Sequence, residues 1–393
     1  MQTFNIDNVR AELFSFDAGS EVKEYHLMLH VTNPLLTFAQ QIEALLSAYD
    51  HIGRNQLSGA NAVFKRYFVS DAANQADNIL AAEYSDCALS IIQQAPLDGT
   101  KVALWAYLQT GVLPHATGSG LYASPHGGYK HLWTGGAHAE AATSEGQTSI
   151  LINQYVMQLL QEGGTLSDNC IRTWFFVNDI DNHYGGVVKA RNDVFYTQNM
   201  TDKTHFIAST GIGGRQADPR VLSQFDAYAV CGLQKGQVRH LYALDHLNRT
   251  SEYGVSFERG TIVDYGDRRH VFISGTASIN HKGEIVHHGD VVKQTHRMWE
   301  NVEALLTEGD CTFEDIGQMI VYLRDPADYA VVRRLYEERF PGKPTVFVGA
   351  AVCRPGWLIE MECMGVKKTD NPAFAPYEDR KSRLLCRCKR KGL

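Results

Sequence analysis

An internal repeat is visible in residues 294–325, QTHRMWENVEALLTEGDCTFEDIGQMIVYLRD, and in residues 147–179, QTSILINQYVMQLLQEGGTLSDNCIRTWFFVND. Gln, Thr, Leu, Thr and Asp recur in register at one constant offset. Apolar residues follow helical spacing up to a stretch that contains glycine, and an apolar run comes after a Thr-x-x-Asp step. Each copy is therefore predicted to form a helix and then a strand, and the repeat predicts the architecture of the chain.

Further elements surround both copies in the same order. A second helix and two strands follow in each copy. In the later copy they are predicted at residues 329–340, 345–352 and 358–366, and in the earlier copy at 186–195, 205–211 and 221–230. Before the helix at Gln294 lies HVFISGTASINHKGEIVHHGD, starting at His270, whose two strand-like runs around Lys282 and Gly283 predict a hairpin. The order β-β-α-β-α-β is typical of an α+β unit of ~100–120 residues.

A third, degenerate copy is predicted at the N-terminus. Residues 24–31 and 62–71 are strand-like, residues 34–49 are helical, and SIIQQAPLDGTKVALWAYL from Ser90 is similar to the terminal strand pair. The predicted fold class is therefore α+β, with three units in a pseudo-threefold arrangement. Their predicted boundaries are 1–111, 112–234 and 235–368, followed by a basic C-terminal tail at 369–393.

Composition and charge exclude several classes of protein. Of the 393 residues, 44% are hydrophobic and 21% charged, which is typical of a globular chain with a large core. No window approaches the ~18 uninterrupted apolar residues of a membrane helix. The net charge of -7 includes a basic C-terminal end, so the remaining body is more acidic still, and this argues against nucleic-acid binding. Eight scattered cysteines favour reduced thiols and a cytoplasmic protein.

The third unit also resembles a known family. VFISGTASIN, GEIVHHGD, QTHRMWENVEALL, IVYLRD and IEMECMGV, in this order, resemble the Rid/YjgF (reactive intermediate deaminase) family. QVRHLYALDHLNRTSEYGVSFERG followed by SGTASIN resembles the chorismatases, which are two-lobed Rid-fold enzymes. This resemblance implies Rid-like, chorismate-mutase-like units. It also implies cleavage of the enolpyruvyl ether of chorismate, or of a similar carboxylate, to pyruvate and a hydroxybenzoate or dihydrodiol, with no cofactor and no metal.

Cleavage of an enol ether requires an acid that protonates the vinyl carbon, and a carboxyl group of raised pKa suits that role. Glu360 and Glu362 alternate with apolar residues in LIEMEC, so both are expected on one face of a strand. Such burial is costly unless the acids are paired or used. By resemblance, Glu360 takes the position of the acid of the Rid fold and is the expected proton donor. A structural acid in a salt bridge is the alternative. The positions aligned with Glu360 in the second and first units, near Gln224 and Ala103, lack an acid. If the three units close into a ring, one of its three interfaces is therefore expected to be catalytically competent.

A substrate with two carboxylates needs cationic partners, and arginine matches carboxylate geometry with two parallel hydrogen bonds. Seven residues are predicted to bind substrate: Arg249, Tyr253, Arg259, Gly275 and Arg354 in or beside the resembling motifs, and Arg172 and Arg215 in the second unit. A pocket between the second and third units would bring them together. The tyrosine would donate a hydrogen bond, and the glycine, by resemblance, would present backbone to the substrate.

Two other functions remain open at this point. Rid deaminases bind the carboxylate of an imine substrate with an arginine about fifteen residues before the acid, and that stretch here is Thr345, Val346 and Phe347. Enamine or imine deamination is therefore one alternative, and a catalytically silent protein that binds a carboxylate metabolite is another. The expected partner is a small carboxylate, with no nucleic acid and no membrane. The chain is expected to be a monomer with an internal pseudo-trimer, or a homo-oligomer.

Overall fold

The computed structural model describes residues 1–84 and 86–378, without the side chain of Tyr253. The first unit contains β1 (Gln2–Ile6), β2 (Val9–Phe16), β3 (Glu24–Val31), α1 (Phe38–Gln56), β4 (Ala60–Val69), α2 (Ala72–Ala82), β5 (Ala88–Gln93) and β6 (Val102–Thr110). The second contains β7 (His115–Ala116), β8 (Tyr122–His126), β9 (Tyr129–His138), α3 (Ser144–Gln161), α4 (Leu166–Asn169), β10 (Cys170–Val177), α5 (Ile180–Thr197), β11 (Ala208–Gly213) and β12 (Ser223–Cys231). The third contains β13 (Val238–Leu241), β14 (Gly260–Asp264), β15 (Arg268–Ala277), α6 (Val291–Glu308), β16 (Ile316–Leu323), α7 (Tyr329–Arg339), β17 (Thr345–Gly349) and β18 (Ile359–Lys368).

The three units share one sheet topology. The strand orders are β1-β2-β3-β6-β4-β5, β11-β10-β12-β9-β8-β7 and β13-β14-β15-β18-β16-β17, so the second is written in reverse. In each sheet the two strands on either side of the last helix of the unit (α2, α5 or α7) pair in parallel, and the other pairs are antiparallel. The first long helix starts at the equivalent place in each unit, after a capping side chain that accepts a backbone hydrogen bond: Thr37, Thr143 and Asp290.

Each sheet buries both of its faces. In β3, Leu27 and Leu29 pack with the helices of the first unit, whereas Met28 points the other way, into the central core. This alternation follows from the two-residue period of a strand. The helices therefore lie outside, and the three inner sheet faces meet in the middle of the molecule.

Contacts between the units are cyclic. The backbone of Gly135 in β9 lies against Leu89 in β5, since a Cβ there would be 2.7 Å from the leucine carbonyl oxygen. The amide of Ser209 in β11 donates to Ser274 Oγ in β15 over 2.9 Å. Gly317 in β16 lies directly against the side chain of His26 in β3. The first unit thus contacts the second, the second the third, and the third the first, which confirms the predicted α+β fold of three Rid-like units.

A charged cluster from all three units lies at the centre of the ring. Arg66 of the first unit donates to Asp226 Oδ2 of the second unit over 2.8 Å and lies 3.8 Å from Glu362 Oε1 of the third. All three side chains are buried. Buried charges are tolerated when they are paired, and loss of one partner leaves an uncompensated charge, so this cluster ties the units together.

One expectation about a chain segment was wrong. The hairpin of the third unit is β14–β15, with its turn at residues 265–267, whereas the turn at Lys282 and Gly283 lies in a loop with an isolated bridge between Ile279 and Ile285. The strand-like run that starts at His270 is therefore the second strand of the hairpin, not the first. Strands β1 and β2 in the first twenty residues were not predicted.

Part of the predicted tail is packed on the body. Tyr377 is fully buried, its hydroxyl accepts from Gln109 of the first unit, its carbonyl faces His126 of the second, and its amide donates to Asp267 of the third. Residues 379–393, which hold the basic run, lie outside the described residues. No helix within residues 1–84 and 86–378 is long and apolar enough to cross a membrane.

Candidate active site

A cavity of about 290 Å³ lies between the second and third units. Helix α5 and strand β11 form one wall, and β15, β18 and the segments that precede β14 and β18 form the other. Four residues predicted from the sequence line it: Arg259, Gly275, Arg354 and Glu360. They come from separate parts of the third unit, and the second unit closes the cavity over them.

Glu360 is the acid in this cavity. Its side chain is on β18 and the residue is only 5% exposed. Burial, and then the neighbouring charge of Glu362, raise the pKa of Glu360 to about 8, against the opposing effect of Arg259 and Arg172. The carboxyl group is therefore mostly protonated at neutral pH, as a general acid needs to be.

Gly275 brings the backbone of β15 against this acid. A Cβ at this position would overlap Glu360 Oε1, so no other residue fits without moving the carboxyl group. The amide of Gly275 donates to Thr210 Oγ1 of the second unit over 2.9 Å. The glycine thus allows strand, acid and neighbouring unit to meet at one point.

Glu362 has a different environment from Glu360. Arg172 Nη2 lies 2.9 Å from its Oε2, and Trp174 Nε1 donates to its Oε1 over 2.7 Å. It belongs to the central cluster with Arg66 and does not line the cavity. Arg172, predicted to contact substrate, is therefore turned towards Glu362 because that buried carboxylate requires a cation; the expectation for Arg172 needs this correction.

Two of the predicted arginines face the cavity. Arg259 is buried, and its guanidinium is held by the carbonyl of Asn248 over 3.2 Å and by Asn248 Oδ1 over 3.0 Å. Arg354 lies over the ring of Trp357 at 4.8 Å. The amide, carbonyl and indole groups named here, all uncharged, help to orient both cations in the cavity.

Arg191 was missed in the sequence. It extends from α5, is 1% exposed, and its Nε and Nη2 have no hydrogen-bond partner within the described part of the chain. The rings of Phe175 and Phe257 lie 5.8 Å from its guanidinium carbon. A buried cation among aromatic rings is costly unless an anion joins it, so the geometry indicates an anionic ligand. The sequence signal that could have revealed Arg191 is a cation on the apolar inner face of this helix, which also carries Val187 and Val194.

Tyr184 and Cys353 also line the cavity and were not predicted as site residues. The tyrosine packs on Gly211, where a Cβ would lie 2.8 Å from its ring. Burial raises the pKa of the Cys353 thiol to about 12, and the nearby Glu360 adds to the shift. The thiol is therefore protonated at neutral pH.

Two further predicted arginines, Arg249 and Arg215, do not line the cavity. Arg249 is exposed and stacks over Tyr242, 4.4 Å from the ring centre. Arg215 lies at the interface of the first and second units, where its backbone exchanges hydrogen bonds with Gln93. Arg249 thus lies outside the cavity although it is close in sequence to the motif, and Arg215 lies at a different interface of the ring. The side chain of Tyr253 lies outside the description.

The combination of groups has a clear chemical character. One neutral carboxyl group faces a cavity that also holds the guanidinium groups of Arg191, Arg259 and Arg354. Such a site attracts a small polyanion and can give it a proton. Within the described ranges, no group of three or more His, Cys, Asp or Glu side chains is arranged to hold a metal ion.

Comparison with known proteins places the chain in a family. The model of the endoribonuclease L-PSP family matches residues 262–367. A RutC family protein of Pyrococcus abyssi is 36% identical over 101 residues, which cover 25% of this chain and 79% of that protein. The chain belongs to the Rid/YjgF family. The family resemblance seen in the third unit is thereby confirmed.

Two longer matches extend beyond the third unit. A 3-hydroxybenzoate synthase of Streptomyces hygroscopicus is 30% identical over 234 residues, which cover 53% of this chain and 66% of that protein. A crystal structure of a chorismatase superposes with a TM-score of 0.62 at 17% identity, covering 78% of this chain and 93% of the other. The second match shows a shared fold for this member of the Rid/YjgF family.

Proposed function

We propose that this Rid/YjgF protein cleaves the enolpyruvyl ether of chorismate, or of a similar carboxylate, and releases pyruvate. The observation that carries the proposal is a neutral, buried carboxyl group, Glu360, in one cavity with three arginines. The 30% identity to a 3-hydroxybenzoate synthase supports this substrate class and favours a hydroxybenzoate as the second product over a dihydrodiol.

The proposed step begins with a proton transfer. Glu360 gives its proton to the terminal methylene carbon of the enolpyruvyl group, the C=C electron pair forms the new C–H bond, and the positive charge is shared with the ether oxygen. Water adds to the cationic carbon, and the resulting hemiketal breaks to pyruvate and the ring alcohol. The proton lost by water restores the acid. A dihydrodiol is the product at this stage, and loss of one water from it gives a hydroxybenzoate.

The arginines fit the charge of such a substrate. Chorismate carries two carboxylates, and the cavity offers the guanidinium groups of Arg191, Arg259 and Arg354. A guanidinium fork binds a carboxylate through two parallel hydrogen bonds. Arg191 has the strongest need of such a partner, because its Nε and Nη2 are unsatisfied within residues 1–84 and 86–378.

An imine deaminase is the second candidate, because a 3-aminoacrylate deaminase of Acinetobacter baylyi is 30% identical over 93 residues. These residues cover 74% of that protein. The arginine expected in deaminases about fifteen residues before the acid is Thr345 here, and the equivalent position in the second unit, Ser209, is the one that lines the Glu360 cavity. Neither is an arginine, so the enol ether substrate is favoured.

The test is to incubate the full chain with chorismate and to measure pyruvate with lactate dehydrogenase, with chromatography of the ring product. Pyruvate in equal amount to the ring product supports the proposal. Ammonia from an imine substrate without pyruvate from chorismate would support the deaminase. Binding of chorismate without turnover would favour the silent binding protein and count against both enzymes.

A further inference from the structure

A second cavity, of about 260 Å³, lies at the interface between the third and first units. Glu12, His30 and Thr345 are buried at its floor, and Arg10 and Arg333 stand nearer its mouth with half-exposed side chains. It shares no lining residue with the Glu360 cavity. Its size is close to the lower end of ordinary ligand pockets, ~300 Å³.

This cavity is the counterpart of the Glu360 cavity at another interface of the ring. His30 in β3 pairs with Ala103 in β6, as Ala277 in β15 pairs with Glu360 in β18. Strand β17 of the third unit takes the place that β11 takes at the other interface. The interface has therefore kept its open space, although alanine stands where the acid would be.

A different carboxylate, Glu12, occupies the floor. Its Oε2 accepts from the amide of Thr345 over 3.0 Å, and its Oε1 is 3.4 Å from Arg10 Nη2. Burial opposes its ionisation, but the neighbouring His30 and Arg10 outweigh burial, and the pKa of Glu12 is lowered. Glu12 is therefore a hydrogen-bond acceptor at neutral pH and not a proton donor.

His30 adds an unused polar atom. Its Nε2 is buried, lies 3.4 Å from Glu12 Oε2, and makes no aligned hydrogen bond to any residue that the structure describes. A buried ring nitrogen whose contact with a carboxylate is this long and poorly aligned is incompletely satisfied, which is costly. A ligand hydroxyl on the floor would satisfy it and would donate to Glu12 at the same place.

The upper part of the cavity suits an aromatic carboxylate. The rings of Tyr329 and Phe347 form an aromatic wall. Arg333 extends beside Tyr329; its Nε donates to Oε1 of the exposed Glu337 of the same helix over 2.7 Å, and its Nη1 donates to the tyrosine hydroxyl over 3.4 Å. Arg10 lies opposite in β2. A planar ring can pack on the wall while its carboxylate meets the two guanidinium groups.

We propose that this second cavity binds a hydroxy-substituted aromatic carboxylate, with its hydroxyl at Glu12 and His30 and its carboxylate at Arg10 and Arg333. The ligand class follows from the lining residues and does not depend on the proposed reaction. It coincides with the ring product proposed for the Glu360 cavity, so product would occupy a site that lacks the acid.

Isothermal titration of the full chain with 3-hydroxybenzoate tests the proposal. Arg333→Ala should weaken binding at this site about tenfold or more, because a charged fork is lost. Arg334→Ala is the matched control, since this exposed neighbour on the same helix does not line the cavity. Benzoate should bind more weakly than 3-hydroxybenzoate here, because it has no hydroxyl for Glu12.

Arg259→Lys separates the two cavities in the same titration. A binding event weakened by Arg333→Ala and unchanged by Arg259→Lys establishes the second site, and it does so whether or not the Glu360 cavity is an active site. The proposal is overturned if 3-hydroxybenzoate does not bind, if only Arg259→Lys weakens its binding, or if Arg333→Ala and Arg334→Ala have the same effect. Circular dichroism of each variant verifies that it is folded.

Discussion

The interface between the first and second units and the interface between the second and third have the same strands in the same register, yet only the latter holds the Glu360 cavity. Leu89 and Ile91 in β5 stand at the positions that Ser209 and Gly211 occupy in β11. The small residues of β11 leave space, and Gly211 in particular makes room for the ring of Tyr184. Larger side chains therefore stand on β5 at the positions where small residues on β11 leave the space of the Glu360 cavity.

The second and third units also differ at the strand position that Glu360 occupies in the third unit. Gln224 stands where Glu360 stands in the third unit, and its amide approaches Ser90 Oγ and the carbonyl of Ile91, each at 3.3 Å. The amide nitrogen of Gln224 finds acceptors within the interface, although its Oε1 has no hydrogen-bond partner among the described residues, whereas Glu360 faces open space and has a raised pKa. Of these two equivalent positions, the one in the third unit holds a carboxyl group with a raised pKa, and the one in the second unit holds an amide.

The largest effect is expected from Glu360→Gln. The variant keeps the shape of the side chain but has no transferable proton, and general acid catalysis contributes ~100- to 10,000-fold. The turnover number for pyruvate release should fall within this range while the protein stays folded. The matched control is Gln224→Ala at the equivalent position of the second unit, which should leave turnover close to that of the wild type. Equal losses in the two variants would remove the proposed asymmetry.

The pH dependence of the wild type gives a second view of the same acid. Because the pKa of Glu360 is raised to about 8, the reactive form is the protonated one. The rate of pyruvate release should be level below this pH and should fall above it, about tenfold for each pH unit. A rate that rises through pH 8 would mean that the carboxylate, acting as a base, is the active form.

An intermediate effect is expected from Arg191→Met. Loss of a charged fork should raise KM for chorismate about tenfold or more. The same change removes a buried cation whose Nε and Nη2 have no hydrogen-bond partner within the described chain, so the melting temperature should stay the same or rise. Arg259→Lys provides the contrast, because Asn248 accepts hydrogen bonds from the Arg259 guanidinium. Loss of this guanidinium should raise KM without raising the melting temperature. A lower melting temperature and unchanged KM for Arg191→Met would make this arginine purely structural.

The elements of the fold were largely predictable, because helical and strand periodicity are local properties of the sequence. The alignment of the repeats also placed Gln224 and Ala103 at the positions that correspond to Glu360 in the second and first units, and strand pairing gives the same correspondence. Contacts across the ring were not predictable in this way. Arg172 and Glu362 are 190 residues apart in sequence, and only the closed ring shows that they pair.

The site was predicted in part, for a similar reason. The motifs of the third unit located Arg259, Gly275 and Glu360, but the wall from the second unit carries no motif. Arg191 there interrupts the apolar face of a helix, and its role becomes visible only in the structure, where its Nε and Nη2 are buried without a hydrogen-bond partner among the described residues. Tyr377 lies in a segment that contains proline and precedes a basic run, so local composition predicted a tail where contacts with three units fix a buried side chain.

A smaller effect concerns stability. Below pH 4.5, the usual pKa of a glutamate here, Glu360 is protonated in both the folded and the unfolded chain. Between this pH and about 8, the unfolded chain ionises and the folded one does not, so the wild type loses stability by roughly 1.4 kcal/mol for each pH unit. Glu360→Gln does not titrate. Its melting temperature should match the wild type at pH 4 and exceed it by several degrees at pH 8. A constant difference across this range would show that burial does not shift the acid.

The smallest effect is expected from Arg249→Lys, which distinguishes the sequence motif from the cavity. Arg249 lies beside the motif that contains Arg259, but it is exposed and stacks on Tyr242 outside the cavity. Lysine keeps the charge and most of the stem, so KM for chorismate and the melting temperature should both stay within error of the wild type. Arg259→Lys, measured in parallel, should raise KM about tenfold. If Arg249→Lys raises KM as much, the segment around residue 249 closes over the substrate during binding, and the cavity seen here is only part of the site.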